Sequence, residues 1–440
     1  MTFSSRSSSP RPYVRLVAVG TCLGAILLAA ACGSSDDAAN ETSAGTDAGD
    51  AGSSASRDAT THDAADAAKD GSSATDAAKV DAAGDAAPTN GTDAGAATVH
   101  FNGRMDLRDS AGPRFDWSGS SVTASFTGTG IAARFGNTDT GNGPNRMQVV
   151  IDGTPASGEL ELTDGADVTY TLASGLAAGA HTVEVYKRTE GYYGAVQFLG
   201  FQAESSSDTG WALTLSNAPT RHLEIIGDSI SAGYGMLSTS IYCSGSEYLD
   251  DEDAYLAYGL DTARELSATA VSIAWSGKGV YRNNDHTTYN TLPTYYPLTL
   301  ASDTVDYDFA QQVDAVVVNL GTNDFTAYDS DPGQENFEDA YVALVTTVRS
   351  HYPDAYILLV AGPMVNNNSP FSGALDLLKQ YLDDVVSTRQ QAGDTQIGDL
   401  EVAIQDCSKE QCGCDSHPNV SRQQTMADTI AAALKSAKGW

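Results

Sequence analysis

The chain has 440 residues, and its 57 acidic against 24 basic side chains give a formal net charge of -33. That length exceeds what one core usually fills, so more than one folded region is expected. The acidic excess argues against nucleic acid or an anionic membrane surface as partner and is silent on neutral sugars.

Arg6, Arg11 and Arg15 precede the small apolar stretch 16–31, a charged region followed by a hydrophobic one too short to span a membrane comfortably. The stretch ends Leu28-Ala29-Ala30-Ala31-Cys32-Gly33, and small residues ahead of a cysteine are what lipoprotein signal peptidase recognises. Residues 1–32 are therefore read as a bacterial lipoprotein signal peptide with lipobox Cys32 as lipid anchor, which predicts export to the cell envelope. Ala29 departs from the leucine more common there. Residues 33–97 are almost entirely Ala, Asp, Ser, Thr and Gly, with no aromatic side chain, and cannot bury enough surface to offset the entropy of ordering. A flexible acidic tether is expected.

Residues 98–210 alternate apolar and polar positions, as in Ser121-Val-Thr-Ala-Ser-Phe126 and His181-Thr-Val-Glu-Val-Tyr186, with turn residues about every ten positions. That pattern predicts an antiparallel β-sandwich. Residues 211–440 change to strand, helix, strand, helix. Apolar β-runs fall at 222–226, 270–274, 315–320 and 356–360, with a weaker one near 400–404. Helical stretches lie near 255–266, 337–352 and 375–391, and a last helix is expected to start at the capping pair Ser421 and Gln424 and to bury Met426, Ile430 and Leu434. Such alternation gives a parallel sheet with helices on both faces, an α/β fold whose ligands collect beyond the carboxyl ends of its strands.

Outside the signal region, four cysteines remain: Cys243, Cys407, Cys412 and Cys414. An even set in an exported chain predicts two disulfides with three possible pairings. A zinc site is disfavoured because no Cys-x-x-Cys pair is present. Joining Cys243 to Cys412 or Cys414 would pin the loop that carries His417.

Chemistry concentrates at four places. Ser229 ends the apolar run of Ile225-Ile-Gly-Asp-Ser, where the chain must turn, and a serine there becomes a nucleophile once a base takes its proton. Of seven histidines, His417 alone sits in a turn held by Pro418 and Asn419 just before a helix; His100, His181, His222, His286 and His351 are given ordinary surface or hydrogen-bonding roles. Gly277 allows close approach of a backbone N–H, and Asn323, in Gly321-Thr-Asn-Asp324, offers a side-chain donor; both suit stabilisation of an oxyanion. Any one of these signals has a bland alternative as a turn or cap, but their order along the chain is specific.

In that order, Gly227-Asp228-Ser229, Gly277, Gly321-Thr322-Asn323-Asp324 and the late Asp415-Ser-His417 resemble the four blocks of the SGNH, or GDSL-type, hydrolases. The resemblance implies a flavodoxin-like doubly wound sheet, Ser229 as nucleophile, His417 as base, and Gly277, Asn323 and the Ser229 amide as oxyanion donors. A narrower similarity, carried by Gly103-Arg104, Trp117-Ser-Gly-Ser120, Ile151-Asp-Gly153, Lys187-Arg-Thr-Glu190, Trp275-Ser-Gly-Lys-Gly279 and Gly413-Cys-Asp-Ser-His-Pro418, is to family 2 carbohydrate esterases. These join a jelly-roll sandwich to an SGNH domain and deacetylate xylan and glucomannan without metal or cofactor. The family pattern puts an aspartate three residues before the histidine, where this chain has Cys414. Asp415 as third catalytic member and a Ser-His dyad oriented by a backbone carbonyl both stay open.

The resemblance thus implies an acetylated polysaccharide as substrate. Two other readings are weighed: an exported SGNH esterase acting on lipid or peptidoglycan acyl groups, and a surface carbohydrate-binding protein without catalysis, with Trp117, Tyr192, Tyr193 and Trp275 stacking on sugar rings.

Overall fold

The computed structural model describes residues 98–138, 142–215, 219–245 and 247–440. The expected export signal, Cys32 and the expected acidic tether lie outside these residues.

The first half is an antiparallel sandwich. One sheet places Val99–Asn102, Ser121–Gly128, Gly179–Lys187, Arg146–Ile151 and Thr154–Pro155 side by side; the facing sheet holds Arg114–Phe115, Val196–Ala203, Ile131–Asn137 and Gly165–Ala173. Their inward positions supply one core that includes Phe115, Phe126, Phe135, Val183 and Val196, as period-two alternation requires. Ala212–Thr214 also pairs with Ser121–Gly128, so the sandwich continues past the boundary expected at 210. Three residues of strand pairing carry too short a pattern to be seen in sequence.

The second half is a five-stranded parallel sheet. In chain order its strands are His222–Gly227, Thr269–Ala274, Ala315–Asn319, Tyr356–Ala361 and Ile397–Glu401, and in space the second lies outside the first while the rest follow on the other side. Every strand pairing is parallel. The strands are apolar on both faces because helices cover both: Ile226, Val318 and Leu359 pack with the core of Gln334–His351 and Ala374–Gln391, and their neighbours Ile225, Val317 and Leu358 with that of Tyr258–Glu265 and Val420–Lys438. The order reverses at His222–Gly227, so the end of this strand is the topological switch point.

Two expectations are corrected. The last strand runs Ile397–Glu401 rather than 400–404, since pairing with Ile357–Ala361 sets its register. The last helix begins at Val420 with Asn419 as its cap, its side-chain oxygen accepting the Arg422 N–H at 3.0 Å. A cap must be extended just before the first turn, as Asn419 is, whereas Ser421 already lies within the helix. Met426, Ile430 and Leu434 are buried as expected.

Disulfides join Cys243 to Cys414 and Cys407 to Cys412. The two halves share a buried seam. Trp117, expected among sugar-stacking rings, is wholly buried there and donates its indole N–H to the Thr299 carbonyl at 3.1 Å. Arg104 from the sandwich meets Glu224 at 3.2 Å and lies 4.8–4.9 Å from the ring centres of Tyr296, Tyr307 and Phe309.

Candidate active site

The turn after His222–Gly227 places Ser229 by a tight device. Gly227 has no room for a side chain, because a Cβ would stand 2.0 Å from the Ser231 hydroxyl. Asp228 then adopts an extended conformation and caps the short helix Ser229–Ala232, accepting the Ile230 N–H at 3.0 Å. Ser229 becomes the first residue of that helix, and the Ile230 carbonyl is held by Gln423 of the last helix at 2.9 Å.

His417 reaches this serine. Its Nε2 lies 2.7 Å from the Ser229 Oγ, and its Nδ1 lies 2.9 Å from the Cys414 carbonyl oxygen. A carbonyl only accepts, so Nδ1 carries the proton and Nε2 keeps its lone pair for the hydroxyl. The same carbonyl accepts the His417 backbone N–H at 2.8 Å. Burial pushes the imidazole pKa down to about 4, against the opposing effects of the Cys414 carbonyl and Asp415. The ring is therefore neutral, as a base must be, across the ordinary pH range.

Asp415, considered as a third member, does not bond to the imidazole. Its carboxylate accepts the Tyr234 hydroxyl at 2.9 Å instead. The physical reason is the turn: Cys414 occupies the position three before His417, its backbone carbonyl takes the ring N–H, and Asp415 follows with φ 49°, pointing elsewhere. Tyr234, which sequence reasoning passed over, packs its ring 4.6 Å from that of His417.

Gly277 and Asn323 come to the same end of the sheet. Gly277 follows Thr269–Ala274 with φ +79°, left-handed backbone that suits glycine, and a Cβ there would press on the Asn284 side chain. Asn323 lies in the short helix Thr322–Thr326 after the next strand, donating its amide to the Lys278 carbonyl at 2.8 Å and, more weakly, to Asp228 at 3.3 Å. Asp324, for which sequence reasoning had no role, accepts the N–H groups of Val280, Tyr281 and Arg282 at 2.8–2.9 Å and so ties these two loops together. Its presence in the Gly-Thr-Asn-Asp block was the available signal. Burial, reinforced by Asp324, pushes the Asp228 carboxyl up to about 7.

Other histidines are engaged elsewhere: His181 with Asp152 and Ala177, His222 with Thr269, His286 stacked on Tyr328, and His351 stacked on Phe309. Among the four aromatics considered for sugar stacking, Tyr193 is also buried, Trp275 is half-buried and Tyr192 is exposed. Among the described residues one group has metal-ligand spacing, Cys243, Asp251 and Cys414, and two of its three members are joined in a disulfide.

A sandwich joined to a parallel sheet with a serine and histidine at its switch point defines a two-domain serine hydrolase scaffold. Comparison with known proteins agrees on both halves. The carbohydrate esterase 2 N-terminal model matches residues 101–209, and the GDSL-like lipase/acylhydrolase family model matches residues 225–421. A family two carbohydrate esterase from Clostridium thermocellum, solved in complex with cellohexaose, aligns at TM-score 0.70 and 36% identity over 78% of this chain and 99% of that one. The chain belongs to carbohydrate esterase family 2. The cellulase/esterase CelE of Acetivibrio thermocellus is 38% identical over 343 residues, 78% of this chain but 40% of CelE, so the match spans less than half of that longer protein. An acetylxylan esterase / glucomannan deacetylase of Cellvibrio japonicus is 24% identical over 348 residues, 78% of this chain and 89% of that protein.

Proposed function

We propose that this protein is an exported esterase that removes O-acetyl groups from polysaccharides such as xylan or glucomannan by acyl transfer through Ser229 and His417. The observation that carries the mechanism is the 2.7 Å contact between His417 Nε2 and Ser229 Oγ, with the other ring nitrogen held by the Cys414 carbonyl. Family membership supports the reaction, and the named activity of the Cellvibrio relative supports the substrate class.

His417 Nε2 takes the hydroxyl proton as Ser229 Oγ bonds to the acetyl carbon, and the carbonyl electron pair moves onto oxygen. That oxyanion is received by the N–H groups of Ser229 and Gly277 and by the Asn323 amide, which gives up its long bond to Asp228. When the tetrahedral adduct collapses, the sugar oxygen leaves with the proton from His417. Water, deprotonated by His417, then attacks the acetyl-serine, acetate departs and Ser229 regains its proton. Asp415 acts through Tyr234 rather than on the imidazole.

The same reading takes residues 1–32 as a lipoprotein signal, 33–97 as tether, 98–210 as the core of the sandwich and 211–440 as the catalytic half. Cys32 would anchor the chain to the bacterial envelope, the membrane being met only through this lipid. Among the described residues no helix is long and apolar enough to cross a membrane. Labelling with a radioactive fatty acid, lost in Cys32→Ala, tests the anchor.

The activity is tested by acetate release from acetylated xylan and glucomannan beside Ser229→Ala. Release by the wild type alone is expected. Cleavage of a short aryl ester without release from either polysaccharide would move the substrate to lipid or peptidoglycan acyl groups; folded protein silent on all three would leave a carbohydrate-binding module.

A further inference from the structure

The loop that carries Gly277 is held from outside its own domain. Glu190 belongs to the sandwich, in the Lys187-Arg-Thr-Glu turn that follows Gly179–Lys187, yet its carboxylate accepts the backbone N–H of Ser276 at 2.6 Å. Ser276 immediately precedes Gly277, so this bond fixes the peptide next to the oxyanion donor. Glu190 is itself braced. It is 3% exposed, its backbone N–H donates to the Glu252 carboxylate at 2.7 Å, and its carbonyl accepts the Lys187 ammonium at 3.0 Å. The ammonium also favours the ionised Glu190 carboxylate, opposing the upward push that burial gives its pKa. Behind the turn, Gly191 packs so closely that a Cβ would stand 2.7 Å from that of Ala301.

We propose that Glu190 is a positioning residue for the oxyanion hole, so that the sandwich contributes to the chemistry as well as to the fold. The inference rests on the esterase reading above. A backbone donor stabilises charge only when aimed at the place where the charge appears, and a loop released by a few tenths of an ångström loses that preorganisation without losing substrate contacts. The effect belongs in kcat rather than KM.

The test compares Glu190→Ala, Glu190→Gln and Glu190→Asp on a small aryl acetate and on acetylated xylan. Glu190→Ala is expected to lower kcat on both by ~10- to 100-fold, less than the ~10²–10³-fold cost of deleting a donor outright, with KM within about twofold. Glu190→Gln keeps an acceptor oxygen at the same reach and should recover most of kcat. Glu190→Asp keeps the charge but withdraws it by one methylene and should stay impaired; if Glu190→Ala does not fold, the Gln and Asp pair decides. Unchanged kcat in folded Glu190→Ala or Glu190→Asp, a loss confined to KM on xylan, or Glu190→Gln as impaired as Glu190→Ala overturns the proposal while leaving the esterase reading intact. A wild type inert on the aryl acetate removes both.

Discussion

The imidazole of His417 works through two bonds, and each makes a quantitative expectation. Loss of the base in His417→Ala should lower kcat by about 10²–10⁴-fold. Asp415→Asn should cost less than about tenfold, or 1.4 kcal/mol, because its carboxylate bonds to Tyr234 and not to the ring. Steady-state kinetics on an aryl acetate distinguishes the two, and equal losses would restore Asp415 as a direct partner. The pH profile follows from burial. His417 must be neutral to accept the serine proton, and its pKa is pushed down to about 4, so activity is retained as pH falls through 6.5 and drops only as the ring protonates nearer pH 4. An acid limb of kcat/KM centred at 6.5 or above would contradict the lowered imidazole pKa.

The loop that presents this histidine is stitched by several contacts, which decides what its disulfide does. Cys243–Cys414 closes a separation of 171 residues, and removing it in the double serine variant should cost about 2–5 kcal/mol of stability. Backbone bonds from Cys414 to Gly235, Gly413 to His417 and Asp415 to Ile241 remain to hold the turn. Urea unfolding should therefore shift far more than the kcat of the folded fraction, and the reverse pattern would make the disulfide itself the positioning element. Just beyond, Asn419 caps the last helix, and Asn419→Ala should lower stability by about 1 kcal/mol in the same experiment.

The whole described molecule depends on a seam in which charge is buried. Arg104 of the sandwich and Glu224 of the first parallel strand are both about 1% exposed, and the Tyr352 hydroxyl adds a bond to the carboxylate at 3.1 Å. Glu224→Ala leaves a buried guanidinium without its partner and should cost about 3–5 kcal/mol, whereas an apolar replacement of both groups should cost much less. Denaturant titration followed by tryptophan fluorescence should show one transition, because Trp117 of the sandwich is buried within the core of the other half. Two separated transitions would show that the seam does not couple them.

The periodicities already distinguish sandwich from parallel sheet, since alternation by two and runs apolar on both faces follow directly from which faces are covered. The placement of Ser229, Gly277, Asn323 and His417 at one end of the sheet was equally legible, because each follows a strand or precedes a helix and a turn there demands particular residue types. What sequence could not decide is which group orients His417: an aspartate two positions away and a backbone carbonyl three positions away are both near in the chain, and only the conformation of the turn selects the carbonyl. The same holds for Trp117, an aromatic suited to sugar by type and buried by its place in the seam, and for Glu190, 86 residues from the amide it holds. Local pattern reports short-range sterics and burial, whereas pairing across such separations is settled only when the two halves pack.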